Sequence, residues 1–132
     1  MTKKIRNVAL FINKQKKGAP ALGKKICSFL EKKKITVNTS LEYENSAFLQ
    51  KADLVVSLGG DGTILALARQ MKKRSVPVLG VNFGRLGFLT EVRPAEIMKE
   101  LSACLQGHLP IEERMMLECH VRSMAANSCG CK

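Results

Sequence analysis

The feature that most constrains the fold is residues 54–65, in which a short apolar run meets three glycines, one carboxylate and a second apolar pattern. The run Leu-Val-Val-Ser-Leu is short and rich in β-branched residues, which predicts a strand buried on both faces. Apolar side chains then recur at helical spacing, which predicts a helix rather than the second strand of a hairpin turning at Asp61-Gly62. They are Ile64, Leu67, Ala68 and Met71.

The turn between this strand and this helix has the composition of a phosphate site, with one exception. Glycine lets the backbone come close to a ligand, and the free N–H groups of a helix N-terminus suit an anion. Thr63 is expected to cap the helix through its hydroxyl. A carboxylate repels an anion, so Asp61 is interpreted as a proton acceptor for a hydroxyl nucleophile or as a partner of Mg²⁺ lying beside the phosphates.

The sequence Gly-Gly-Asp-Gly-Thr at 59–63 resembles the GGDGT signature of NAD kinases. Diacylglycerol and sphingosine kinases share this motif, and phosphofructokinases have a close variant. Residues 80–91, Gly-Val-Asn-Phe-Gly-Arg-Leu-Gly-Phe-Leu-Thr-Glu, are similar to the second NAD kinase signature, G-[IV]-N-x-G-x-L-G-F-L-[TA]. The two motifs together, at this separation, identify a resemblance to the NAD kinase family.

This resemblance implies phosphoryl transfer from ATP, or from polyphosphate, to the adenosine-ribose 2′-hydroxyl of NAD, giving NADP. It implies that Asp61 is the general base and that Mg²⁺ or another divalent cation neutralises the transferred group. NAD and ATP are the implied small-molecule substrates. The residues that it implies for contact with phosphates or nucleotide are Gly59, Gly60, Gly62, Thr63, Asn82 and Phe88. Phe88 has the alternative of a core aromatic that anchors its loop, and Arg85 either pairs with a phosphate or is solvated.

Patterning along the chain predicts an α/β fold, an open and mostly parallel sheet with helices on both faces. The predicted strands are 5–13, 35–37, 53–58 and 76–82, and the predicted helices are 21–34, 63–72 and 94–106, with a short helix near 47–49. In such a sheet the loops after parallel strands open on one edge, so Asp61 and the 82–88 loop are expected to flank one crevice. Asn13 and Lys16, after the first strand, either face a nucleotide or belong to a solvated loop.

The resemblance divides the chain into three parts. Residues 1–110 form the α/β nucleotide-binding domain with GGDGT, 111–122 resemble a crossover strand, and 123–132 are an atypical tail. Known NAD kinases continue past the crossover strand as a β-sandwich that carries most other contacts to NAD, and we expect that sandwich to be missing here. A crevice with one wall cannot hold its substrate, so we expect little or no kinase activity from this chain by itself.

Net charge is +11, and most of it comes from lysines and arginines in the first 34 residues. No aromatic residues are interleaved with these cations, so we expect a solvated face rather than a nucleic-acid site.

No apolar run is long enough for a membrane span or a secretory signal, which predicts a cytoplasmic protein without a membrane partner. The resemblance implies a homo-oligomer in the full-length form.

Three alternatives stay open at this point. A lipid kinase has the same GGDGT but does not need the 80–91 loop in this form. A non-catalytic nucleotide-binding fragment fits the abrupt end of the chain. A zinc site would require four ligands, Cys119, His120, Cys129 and Cys131, although their C-x-C spacing matches no ordinary zinc module.

Overall fold

Four parallel strands form the centre of the molecule, in the order β2-β1-β3-β4. The computed structural model describes residues 3–41, 46–72 and 74–124. The strands are β1 (Asn7–Ile12), β2 (Thr36–Leu41), β3 (Leu54–Gly59) and β4 (Val78–Asn82). The α-helices are α1 (Ala19–Lys32), α2 (Asp61–Met71) and α3 (Ile97–Leu105), with 3₁₀ turns at Ser46–Leu49 and Pro94–Glu96. The predicted α/β fold class is confirmed.

The core lies on both faces of the sheet, because successive side chains of a strand point to opposite sides. One layer joins alternate residues of β1 and β3 to α1 and α3; it includes Leu10, Ile12, Ile26, Leu30, Leu58, Ile97 and Leu101. The other joins the remaining alternate residues to α2; it includes Ala9, Phe11, Val55, Ala66 and Leu67. Every residue of β3 is buried, as its unbroken apolar run predicts.

The start of α2 differs from the sequence prediction. The helix begins at Asp61, Gly60 is its N-cap, and none of the described side chains caps it. Thr63 is therefore the third helical residue rather than the cap, and the capping prediction is wrong. Its side chain lies against Gly59, where any Cβ would overlap the Thr63 hydroxyl. The motif packs the strand end tightly onto the first helical turn.

The second strand is longer than predicted. β2 runs to Leu41 and pairs with β1 over six residues, although only residues 35–37 have an apolar, β-branched pattern. Backbone pairing with the buried β1 outweighs the weak local propensity of Asn38 to Ser40, since strand propensity depends strongly on context.

The segment after α3 has no helix or strand within its described part, residues 106–124. It presents apolar side chains to solvent, among them Met115 at 85%, Leu117 at 86% and Val121 at 90% exposure. None of the helices in the described ranges is both long and apolar enough to cross a membrane.

The strand order indicates where on the sheet a crevice is expected. The chain leaves β1 toward β2 on one side, and β3 and β4 lie on the other side, so the order reverses between β1 and β3. Loops that leave neighbouring strands in opposite directions open a crevice at the carboxyl edge of such a sheet.

Candidate functional site

A cleft of about 540 Å³ lies at this carboxyl edge. Its lining comes from the loop after β1, the start and one later turn of α2, and the loop after β4. The lining residues are Asn13 and Lys16, then Gly60 to Thr63 and Arg69, then Asn82, Gly84, Arg85 and Gly87. The structure thus brings together Asp61 and the 82–88 loop, as expected for neighbouring parallel strands. It also places Asn13 and Lys16 in the same cleft.

The carboxylate of Asp61 is held by the loop after β4. Oδ2 accepts the Phe88 N–H at 2.8 Å, and Oδ1 accepts the N–H groups of Leu89 and Thr90, each at 3.1 Å. Oδ1 also lies 2.9 Å from the Thr90 hydroxyl. Burial by itself raises the pKa of Asp61, but the donors from Phe88, Thr90 and Leu89 outweigh it and hold the pKa below its ordinary value. Asp61 is therefore an ionised carboxylate at neutral pH.

Glycine at position 87 makes this contact possible. A Cβ built on Gly87 would overlap the Asp61 carboxylate, so no larger residue can occupy the position without moving one of them. None of the glycines of the 59–63 motif has a positive φ, in contrast to Gly18 and Gly107 elsewhere. In this cleft the absence of a side chain matters for close packing, rather than for left-handed backbone.

Asn82 shapes the loop from inside. Its Oδ1 accepts the Gly84 N–H at 2.8 Å, and its Nδ2 donates to the Arg85 carbonyl at 2.6 Å and to the Thr90 hydroxyl at 2.8 Å. It is 5% exposed. Most of the hydrogen-bonding capacity of the Asn82 amide is therefore used within the loop.

Thr90 is a site residue that sequence reasoning missed. It is 1% exposed and supplies both a backbone and a hydroxyl donor to Asp61. Thr90 occupies the [TA] position of the second signature. Because that position also accepts alanine, the motif by itself gives no reason to expect a hydroxyl at the site. The contact joins positions 29 residues apart, so only the tertiary structure reveals it.

Phe88 is the most exposed aromatic feature of the loop. Its backbone N–H binds Asp61, while its side chain is 91% exposed. The alternative that Phe88 anchors the loop in the core is therefore wrong. A free aromatic face beside a polar cleft is able to stack on a planar ring.

Thr63 and Asn13 lie at the floor of the cleft. The Asn13 side-chain amide donates to the Thr63 hydroxyl at 3.5 Å, which links the loop after β1 to the first turn of α2. Thr63 is 3% exposed, so its hydroxyl faces protein atoms more than solvent.

The described residues of the cleft do not fit a resident Mg²⁺ ion. Asp61 is the carboxylate among the lining residues, and its Oδ1 already accepts three hydrogen bonds from the loop. Oδ2 accepts one, and a single oxygen is too few ligands to hold a metal ion by itself. No cluster of three or more His, Cys, Asp or Glu side chains in the described part of the chain could hold a metal. Cys129 and Cys131 of the zinc alternative lie outside the described residues.

An open parallel sheet with a polar, loop-built cleft at its strand-order reversal defines a ligand-binding α/β domain. The family model "ATP-NAD kinase N-terminal domain" matches residues 41–109, just over half of the chain. The chain belongs to the NAD kinase family. This confirms the resemblance recognised in the two glycine-rich motifs.

Curated relatives with the same family name match a large part of the chain. The NAD kinase of Geotalea daltonii is 54% identical over 68 residues, which are 52% of this chain and 24% of the relative. The NAD kinase of Syntrophotalea carbinolica is 42% identical over 92 residues, which are 68% of this chain and 32% of the relative. The chain thus matches a quarter to a third of the length of these relatives.

Two solved structures are similar to the fold. Yeast NADH kinase complexed with NADH superposes with a TM-score of 0.69 at 18% identity, over 81% of this chain and 38% of that one. An NAD kinase from Archaeoglobus fulgidus in complex with ATP gives a TM-score of 0.59 at 30% identity, over 77% of this chain and 37% of that one.

Proposed function

We propose that this chain supplies the α/β wall of an NAD kinase, which transfers a phosphoryl group from ATP to the adenosine-ribose 2′-hydroxyl of NAD to give NADP. Membership of the family supports this activity, and relatives of the same fold are described as complexes with NADH and with ATP. The observation that carries the proposal is an ionised aspartate fixed in the cleft where three strand-end loops meet.

Asp61 is the proposed proton acceptor, and the geometry favours one of its oxygens. An ionised carboxylate offers about four acceptor sites, two on each oxygen. Oδ1 accepts three donors from Leu89 and Thr90, whereas Oδ2 accepts the Phe88 N–H alone among the described residues. The substrate hydroxyl is therefore proposed to donate to Oδ2.

The other cleft residues are proposed to hold phosphates and base. The first N–H groups of α2, around Gly60 and Gly62, have no partner within a helix and suit an anion. Lys16, Arg69 and Arg85 line the same cleft and add positive charge. We assign Phe88 to stacking on the nucleobase. Gly59, Thr63 and Asn82 are buried, so we assign them to holding the loops that contact the nucleotide in place. Mg²⁺ is proposed to enter with the phosphates of ATP as part of the substrate.

We also propose a domain boundary near residue 110. Residues 1–110 form the nucleotide-binding domain, and 111–122 are proposed to cross into a β-sandwich. The support is the exposure of Met115, Leu117 and Val121, since an alternating apolar row suits a strand packed on one face. We therefore propose that residues 1–132 alone turn over slowly, because the described residues leave Phe88 91% exposed and supply no second wall opposite it. A cytoplasmic location and a homo-oligomeric full-length form stay predictions.

The test is NADP formation from NAD, ATP and Mg²⁺ by this chain alone and by the chain joined to the remaining length of the Geotalea daltonii relative. We expect little turnover from the chain and clear turnover from the joined form, with Asp61→Ala in the joined form abolishing it. Equal rates in both forms would contradict the need for a second wall. Retained turnover in Asp61→Ala would remove Asp61 from the mechanism.

The shared GGDGT motif leaves a lipid kinase as the second candidate. Incubating the joined form with diacylglycerol and ATP distinguishes the two, and we expect no phosphorylated lipid. Phosphatidic acid production without NADP would replace the NAD kinase proposal.

A further inference from the structure

Behind Asp61 lies a path of buried polar side chains that leads back into the loop. Asn82 Nδ2 donates to the Thr90 hydroxyl at 2.8 Å, and that hydroxyl lies 2.9 Å from Asp61 Oδ1. Thr90 is 1% exposed and Asn82 is 5% exposed. Water therefore has little access to this path, and each hydrogen bond on it is stronger than it would be at the surface.

The direction of every hydrogen bond on this path is fixed by the backbone. A backbone N–H only donates and a carbonyl only accepts, so the bonds from Gly84 N–H and to the Arg85 carbonyl set the orientation of the Asn82 amide. The Asn82 N–H must then donate to the Thr90 hydroxyl. The single proton of that hydroxyl is left to donate to Asp61.

We propose that Thr90, oriented by Asn82, is a positioning residue that holds Oδ1 of Asp61 and so leaves Oδ2, which accepts only the Phe88 N–H among the described residues, able to accept the substrate hydroxyl as well. This rests on the proposed role of Asp61 as proton acceptor. Packing of the Thr90 methyl group supports the same placement. A Cβ on Gly80 would lie 2.8 Å from Thr90 Cγ2, so the methyl group packs closely against the backbone of β4 at Gly80. Shape and hydrogen bonding together give the hydroxyl one position.

The hydroxyl also acts on the charge of Asp61. Burial raises the pKa of this carboxyl, and the Thr90 hydroxyl is one of the donors that together reverse the effect. The charged side chains that line the cleft around Asp61 are Lys16 after β1, Arg69 on α2 and Arg85 after β4. Replacing Thr90 leaves all three of these charges in the chain. A shift in the pKa of Asp61 is then attributed to loss of the Thr90 hydroxyl.

The experiment compares Thr90→Val, which removes the hydroxyl and keeps the branched shape, with Thr90→Ser, which keeps the hydroxyl. Carboxyl ¹³C NMR titration of this chain reads the pKa of Asp61 directly, with Asp61→Asn to assign its resonance. Asp53, at the opposite end of β3, is the internal control, since its contacts do not involve Thr90. We expect a higher pKa for Asp61 in Thr90→Val, the wild-type pKa in Thr90→Ser, and an unchanged Asp53 in both.

An unchanged pKa of Asp61 in folded Thr90→Val would overturn the proposal. If Thr90→Val does not fold, the wild-type chain decides: we expect a hydroxyl proton of Thr90 that exchanges slowly and shows a nuclear Overhauser effect to the Asn82 side-chain amide. A hydroxyl proton in rapid exchange with bulk water would equally overturn the proposal.

Kinetics on the joined form separate this inference from the proposed function. We expect the acid limb of the kcat profile to move to higher pH in Thr90→Val and to return in Thr90→Ser. A raised pKa of Asp61 by NMR with no change in the acid limb would preserve the positioning by Thr90. It would refute Asp61 as the base.

Discussion

The two ends of β3 carry the same chemistry in different surroundings. Asp53 precedes the strand and accepts the N–H groups of Arg6 and Asn7, each at 3.0 Å. Asp61 follows the strand and accepts the N–H groups of Phe88, Leu89 and Thr90. Both carboxylates bind backbone donors from another part of the chain, and both have a lowered pKa.

Their remaining partners distinguish them. Asp53 pairs with the Lys3 ammonium at 2.9 Å and fastens the start of β1 to the start of β3. Among the described residues no cation pairs with Asp61. Its additional donor is the buried Thr90 hydroxyl, and it faces the cleft. At the amino edge of the sheet, a carboxylate held by backbone amides therefore joins two strands and has a structural role. At the carboxyl edge, where loops and a helix N-terminus converge, it is a candidate for chemistry.

Among changes that keep both carboxylates in place, the largest effect is expected from Gly87→Ala, which drives a methyl group into the Asp61 carboxylate. We expect the free energy of unfolding to fall by about 1–3 kcal/mol from overpacking. Turnover of the joined form should fall by roughly 100-fold, because a displaced catalytic group is poorly aligned. Urea denaturation and NADP formation measure the two effects.

Gly84→Ala is the matched control in the same loop, since its Cβ would lie 3.7 Å from Asn82 Oδ1, an ordinary contact. Its stability should stay near that of the wild type. If both variants lose stability equally, general loop sensitivity rather than the Asp61 contact explains the result.

Asp53→Ala should separate the two carboxylates. We expect it to lower the free energy of unfolding by about 1–3 kcal/mol, because two backbone donors and Lys3 lose a charged partner. NADP formation by the folded joined form should be unchanged, in contrast to Asp61→Ala. A loss of turnover at a temperature where Asp53→Ala is fully folded would break the comparison.

The contribution of Asp53 to the free energy of unfolding should fall in acid, between pH 3.8 and about 2. Burial raises its pKa, but the Arg6 N–H, the Lys3 ammonium and the Asn7 N–H lower it from 3.8 to about 2. The folded state therefore prefers the ionised form, and its stabilisation is complete above pH 3.8 and is lost as the pH falls toward 2. In Asp53→Asn the free energy of unfolding should depend less on pH across this range. A slope equal to that of the wild type would show that Asp53 does not carry the effect.

The smallest effect is expected from Lys3→Ala. The Lys3 side chain is 69% exposed, and exposed ion pairs contribute about 0–1 kcal/mol. The loss should shrink further at high salt, whereas the effect of Thr90→Val on Asp61 should not, since Thr90 is buried. Denaturation at two salt concentrations measures the loss from Lys3→Ala, and NMR titration of Asp61 at the same two concentrations measures the effect of Thr90→Val. A salt-independent loss from Lys3→Ala would mean that its packing, rather than its charge, matters.

Much of the architecture follows from local pattern. The unbroken apolar run of β3 predicts a buried strand, and the helical spacing after it predicts α2. Alternating strands and helices predict a parallel sheet, and parallel connectivity places the strand-end loops on one edge. Asp61 and the 82–88 loop could thus be assigned to one cleft from sequence. Both glycine motifs pointed to the family that the comparisons show.

Other features were decided by contacts between distant segments. The extent of β2 depended on pairing with β1, and the burial of Thr63 depended on its fit against Gly59. The exposure of Phe88 and the hydrogen bonds from residues 88–90 to Asp61 have no local signature. Sequence by itself determined which residue types surround the cleft, because periodicity and turn chemistry act over a few residues. Tertiary structure alone decided which donors each oxygen of Asp61 accepts, because a hydrogen bond depends on positions that only the folded chain brings within about 3 Å.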